Sequence, residues 1–165
     1  MKQTGKVQKA ILLEMLEQNK FTSSFSLNQI NSDNANFRLN EKTASVGFIY
    51  RHIGETTNTF AQFLGVKTDI VNTTLAQTDT GKKYDVETSR AQVEQGYLTL
   101  EKLINETSDE DWLAKVDTPF FGTITKIRLF AHTLYHISHH CGQISSAIAK
   151  GKAYEMKKEE DGGME

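Results

Sequence analysis

TITKIRLFAHTLYHISHHCGQISSAIAK, residues 123–150, carries the pattern that decides the fold. Within it Ile127, Phe130, Leu134, Ile137, Cys141, Ile144 and Ile148 recur at alternating steps of three and four. That spacing is the seam of an α-helix packed along a bundle; a half-buried strand would alternate every second residue. Gly151 is placed to stop the helix. His132, His136 and His140 follow one another at single-turn intervals, and residues four apart on a helix differ by only ~40° in direction and ~6 Å in height. They form a ladder along one face, at the margin of the apolar seam.

Three more segments repeat the helical period. Residues 43–65 open on Thr43 or Ser45, either of which can cap the first turn, and continue through Val46, Ile49, Ile53, Thr56, Phe60 and Phe63 to Gly65. Residues 85–105 carry Val93, Tyr97, Leu100 and Ile104. Residues 6–27 have a ragged stripe of Val7, Ile11, Met15, Leu16 and Phe25. Thr107 and Glu110 are spaced as a capping box, which predicts a short helical turn containing Trp112. The polar run 31–36 reads as a loop, and residues 66–84 form a long irregular connection of the kind that is often functional or partly helical. No strand pattern competes, and Pro119 is the single proline of the chain. The expected fold is all-α, an up-down four-helix bundle over residues 1–156, followed by a disordered tail over 157–165 (KKEEDGGME).

At 165 residues one domain can remove roughly 70% of its unfolded surface from water. A net charge of -2 with scattered basic residues gives no electrostatic footprint for nucleic acid or an anionic membrane, so neither is an expected partner. The single cysteine, Cys141, excludes an internal disulfide framework and favours a reducing compartment. Glu14 and Glu17 interrupt the apolar run at 11–16 before it could serve as a signal core, and no segment reaches the ~20 apolar residues of a membrane span. A cytoplasmic protein is expected.

Four of the five histidines lie between 132 and 140, and the fifth, His52, lies on the second helix three residues after the seam residue Ile49. Imidazoles at i and i+4 can converge on one divalent ion, but two ligands bind weakly. His136 and His140, each preceding a seam residue, supply the pair, and His52 supplies a third donor from a facing helix. Three neutral donors leave ligand positions open, which suits chemistry more than structural support. The bland alternative is that helix-margin histidines bond carbonyls or face solvent.

The segment His132-x3-His136-x2-His139-His140-x-Gly142-Gln143-Ile144, preceded by Thr118-Pro119 and a glycine, is similar to the C-terminal signature of DinB-like proteins, the DinB/YfiT superfamily. Residues 45–55 (SVGFIYRHIGE) resemble that family's first histidine motif. The resemblance covers nearly the whole chain. It implies an up-down four-helix bundle with a metal on His52, His136 and His140. Members include thiol S-transferases using bacillithiol or mycothiol and maleylpyruvate isomerases.

The other polar residues of the region keep two readings each. His132 lines the pocket or orients a ligand, or else serves the fold; His139 is a packing residue or stands behind a ligand. Gln143 is a pocket candidate, and Gly142 is expected to allow close helix approach. Glu55 either accepts an imidazole proton or is a solvated surface carboxylate. Cys141 reads as a small core residue. The expected activity is metal-dependent action on a small molecule, most concretely transfer of a low-molecular-weight thiol. The alternatives are a metal-dependent hydrolase or a non-catalytic metal- or ligand-binding bundle, with a homodimer as the expected assembly. Imidazole ligation alone does not choose among zinc, nickel, iron, manganese and copper.

Overall fold

In the computed structural model, which describes residues 4–154, the helices begin and end largely where the caps stand. Helix α1 covers Thr4–Leu27. Helix α2, Val46–Phe63, opens on Ser45, whose hydroxyl accepts from the Phe48 amide at 3.2 Å. Past its end Gly65 takes φ +101, a left-handed conformation that favours glycine. Helix α3, Val86–Glu106, opens on Asp85, which accepts from the Thr88 amide at 2.7 Å. The expected capping box is displaced by one residue. Thr107 instead closes α3, and Ser108 caps the short α4, Asp109–Trp112, by accepting from the Asp111 amide.

Strands were not expected, yet two short antiparallel pairs are present. Strands β2 (Lys115–Thr118) and β3 (Gly122–Thr125) form a hairpin in register Lys115↔Thr125 to Thr118↔Gly122. Strand β1 (Phe37–Arg38) pairs with β4 (Lys152–Ala153). Segments of four and two residues are too short to display an alternation that a sequence could reveal. The hairpin also takes residues 123–125 from the expected fourth helix, so α5 runs Lys126–Lys150. The proposed tail at 157–165 lies outside the described residues.

The four long helices make the expected four-helix bundle, and their contacts fix its directions. Asn19 of α1 meets Leu134 and Ser138 of α5, and Ser26 meets Ser145, so α1 and α5 run parallel. Asn19 also meets Tyr97 while Lys9 meets Asn105, so α3 is antiparallel to α1. Arg51 meets Ser89, and Gly54 and Gly96 admit Gln92 and Thr57, so α2 lies parallel to α3. In chain order the helices run up, down, down, up. A simple alternation would suit short hairpin links, whereas two parallel neighbours need a link that returns the length of the bundle. The 18 residues of α2 span ~27 Å, which an extended chain could retrace in roughly eight residues. The connector 64–85 therefore has slack, and it spends that slack lying along α2.

The seams expected on α2, α3 and α5 are the core: Ile53, Leu100, Ile104, Leu129, Phe130, Ile137 and Ile144 are almost wholly buried. On α1 the expectation holds for Leu16 and fails for Ile11, Met15 and Phe25. Ile11 is 53% exposed and Met15 45%, and Phe25 is also exposed, while the buried face carries Leu12, Leu16, Asn19, Ser23 and Ser26. Gly142, expected at a close helix contact, has open space where a Cβ would stand; the tight approaches are at Gly54 and Gly96. Among the described residues no helix is long and apolar enough to cross a membrane.

Candidate metal centre

His52 precedes Ile53, His136 precedes Ile137 and His140 precedes Cys141, so each imidazole emerges beside a buried neighbour of its own helix. Because α2 and α5 run antiparallel, the three rings meet between them. His136 Nε2 lies 3.1 Å from His52 Nε2 and 3.1 Å from His140 Nε2. Two nitrogens bonded to one ion at ~2.1 Å, at angles of roughly 90–110°, stand about 3.0–3.4 Å apart. The histidines expected to gather at one point do so, and together they could hold a metal ion.

Hydrogen bonds behind the rings set their tautomers. The Gln143 carbonyl oxygen can only accept, so His140 Nδ1 donates to it at 2.7 Å and Nε2 is left bare. The Thr74 hydroxyl donates to Glu55 Oε2 at 2.9 Å and therefore accepts from His52 Nδ1, 3.2 Å away, leaving that Nε2 bare as well. His136 Nδ1 is buried without a partner. A proton on His136 Nε2 could serve only one of the two acceptors it faces; a proton on Nδ1 would have no acceptor and leave three lone pairs opposed. Either state leaves polar capacity unmet, which is unfavourable in a buried setting. A divalent cation takes all three lone pairs, so the donor set fits one.

Burial also keeps the rings in the form that ligates. Desolvation, with the neighbouring imidazole of His140, lowers His52 to about 4. Desolvation and then the other histidines lower His136 to about 2. His140 is lowered chiefly by desolvation, against the opposing bond to Gln143. All three are neutral at pH 7.

Glu55 is only 1% exposed, which corrects its reading as a surface carboxylate. Nor does it touch His52: it acts through Thr74. Its oxygens accept from the Thr73 amide at 2.7 Å and from the hydroxyls of Thr73 and Thr74, with the Arg51 guanidinium 3.7 Å away. Asn72 Oδ1 accepts from the amides of Thr74 and Leu75, and its amide group donates to Thr59 on α2. Further along, Asp79 accepts from the Ser45 amide and hydroxyl and pairs with Arg38 at 2.9 Å. Burial opposes its charge, but those bonds, the Gly81 amide and Arg38 hold Asp79 below the usual carboxylate range. The connector is thus pinned to α2 at two levels, one at Ser45 and the other against His52. Thr73 and Thr74 were missed in the sequence. Asn72-Thr73-Thr74 is a recognisable Asx-turn former, but which helix it docks on is decided by tertiary structure.

His132 does not join the cluster; it packs on Phe121, with ring centroids 4.5 Å apart, and on Phe60 at 5.5 Å. His139 is exposed; its ring stacks on Tyr135 at 6.0 Å and meets the His140 ring edge-on at 5.1 Å. Phe60 contacts His136 at 5.6 Å, and Phe48 stacks on His52 at 6.3 Å, so an apolar ring flanks the histidines on each side. Cys141 is a buried free thiol on the seam, as expected.

A helical bundle whose facing antiparallel helices bring three imidazole nitrogens to one point defines a class of metal-competent four-helix proteins. The sequence profile of the DinB superfamily matches residues 17–144, and the chain belongs to that superfamily. Among solved structures it is similar to the crystal structure of TT2238, a four-helix bundle protein. The TM-score is 0.60 at 17% identity, over 84% of this chain and 98% of that one, a likeness of fold. No curated protein matches it significantly.

Proposed function

We propose that the chain is a divalent-metal-dependent enzyme acting on a small molecule, most concretely an S-transferase for a low-molecular-weight thiol. The observation that carries this reading is the donor set: three neutral imidazoles with no carboxylate among them. Structural sites fill four positions with protein donors, whereas three leave room for an external ligand. A divalent ion held there would favour a ligated thiol as thiolate near neutral pH, supplying a nucleophile without a dedicated base.

The chain's own residues do the rest. Gln143 and Thr74 hold the outer nitrogens of His140 and His52, so both rings keep their bare nitrogens inward. Phe48 and Phe60 exclude water from two sides. In the transfer the thiol loses its proton to solvent, sulfur bonds an electrophilic carbon, and the leaving group departs with the bonding pair. Membership of the DinB superfamily supports the metal-binding part of this reading.

Elemental analysis of tag-free protein is expected to find a stoichiometric divalent transition metal that His52→Ala loses. Thiol conjugation against a panel of electrophiles is expected to need the histidines. Equal rates for wild type and His136→Ala would end the transferase reading. Ester hydrolysis without added thiol would assign the site to water activation instead.

A further inference from the structure

The hairpin between α4 and α5 ends in two aromatic residues that its own turn does not require. The Thr118 hydroxyl accepts from the Phe121 amide at 3.0 Å and donates to the Gly122 carbonyl at 3.1 Å. Gly122 takes φ +61. Thr118, Pro119 and Gly122 therefore account for the turn, and Phe120 and Phe121 are free to be any residue as far as the backbone is concerned. Both are large and apolar and remain 44% and 39% exposed. Exposed paired aromatics at a loop tip are unfavourable in water, and such patches mark places where something binds.

Their position says what. Phe121 packs on His132 at 4.5 Å, and Phe120 lies 6.4 Å from both Phe60 and Phe63. Phe60 in turn touches His136 at 5.6 Å. Phe120, Phe121 and His132 thus form an accessible aromatic corner over Phe60, which is itself buried and joins the corner to His136 from beneath. The opposite flank is different in kind: beyond Phe48, the Tyr84 ring is covered by the cations of Arg51 and Lys82 at 5.4 and 5.3 Å. An apolar planar group would find ring faces and edges on the first flank and charge on the second.

We infer that this corner is a binding site for a planar aromatic group of the substrate, placed so that the reacting atom attached to that group reaches the three histidines. The inference rests on the metal-centre reading above, and it assigns the substrate class: aryl-bearing small molecules over aliphatic ones of the same reacting group. His132 belongs to this corner as a specificity residue, which gives it a role separate from the ligands.

The test uses two metal-binding probes that differ by one phenyl group, 2-phenylethanethiol and ethanethiol, titrated into cobalt-reconstituted protein while thiolate-to-cobalt absorption is followed. Wild type is expected to bind the aryl thiol about tenfold more tightly, from burial of one ring against others. The ratio is expected to fall below about threefold in the double variant Phe120→Ala/Phe121→Ala, a loss of the ring contacts alone. Taking a ratio on each preparation cancels differences in metal loading. Phe121→Leu, which retains apolar bulk, keeps the comparison readable should the double variant unfold, and its ratio is expected to lie between the other two. Equal binding of both probes by wild type, or a preference that survives loss of the hairpin rings, overturns the aromatic corner while leaving the metal centre intact. Failure of both thiols to change the spectrum overturns the thiol reading and this inference with it.

Discussion

Helix α5 meets α2 on one side and α1 on the other, and the two seams handle buried polarity in opposite ways. Against α1, Asn19 donates to the Leu134 carbonyl and to the Ser138 hydroxyl, both at 2.9 Å, and accepts from Tyr97 at 2.9 Å. Ser26 and Ser145 satisfy one another at 2.6 Å. Those bonds close among themselves, with the Ser23 hydroxyl the one buried group of this α1 face that has no partner, and no lone pairs are gathered at a common point. Against α2, three imidazole nitrogens converge with no donor shared among all of them, and His136 Nδ1 has no partner. A polar cluster that completes itself is structural; one that leaves lone pairs aimed at a common point is built around something else.

The largest effect that separates the seams is pH dependence in metal-free protein. His52 and His136 hold imidazolium pKa values of about 4 and about 2, against 6.5 in the unfolded chain. Between these values the unfolded chain binds more protons than the folded one, so stability is fully present above pH 6.5 and is lost as pH falls toward 4 and below. Allowing for partial solvent screening, the loss by pH 4 should be on the order of 3 kcal/mol. Urea unfolding of chelator-treated protein across that range measures it, and His136→Leu should flatten the slope. A slope unchanged in that variant would sink the assignment.

Next in size is the support behind His52. Thr74→Val removes the nearer of the two hydroxyls at Nδ1, leaving Thr56 at 3.3 Å, and outer partners of metal-bound histidines typically contribute 10- to 100-fold in affinity. Competition against a chromogenic chelator should reveal that loss, and Thr74→Ser should recover most of it. Nitrogen NMR shifts of His52 in metal-free protein should change as well, because Nδ1 loses its nearer hydroxyl. Wild-type affinity together with unchanged shifts in Thr74→Val would mean that the connector supports the fold alone.

On the α1 side, Asn19→Ala should leave Tyr97 without its acceptor and destabilise the bundle by about 1–2 kcal/mol. Metal affinity should stay unaltered. A matching drop in metal affinity would show that the two seams are coupled, and the contrast between them would fail.

Most of the α2 seam was legible in the sequence and most of the α1 seam was not, for one reason. Reading a bundle from periodicity assumes that apolar side chains face inward. That holds for Ile49, Ile53 and Phe60 on α2 and for Leu134, Ile137 and Ile144 on α5, and the histidines beside them could be located from it. On α1 the inward face includes Asn19, Ser23 and Ser26, which are buried only because partners on α3 and α5 satisfy two of them. No local pattern announces such partners. The support behind the ligands divides likewise: Gln143 lies one turn from His140 and was visible, whereas Thr74 lies 22 positions from His52 in sequence and depends on how the connector returns.

The smallest effect concerns the face α1 turns outward. Ile11, Met15 and Tyr135 line an open groove of about 980 Å3 between α1 and α5, and none of them contributes to the core. Polar substitutions at exposed positions usually change stability by less than about 0.5 kcal/mol, so Ile11→Lys and Met15→Lys should be nearly silent in urea titrations. The same change at Leu12 or Leu16, one position away and buried, should unfold the chain, because a lysine ammonium there would lie unpaired in the core. A lysine at 11 that destabilises by more than about 1 kcal/mol, together with wild-type stability that rises with protein concentration, would have another meaning. It would assign this face to a second copy, the homodimer expected from the sequence, because linkage makes an associating protein more stable as it is concentrated.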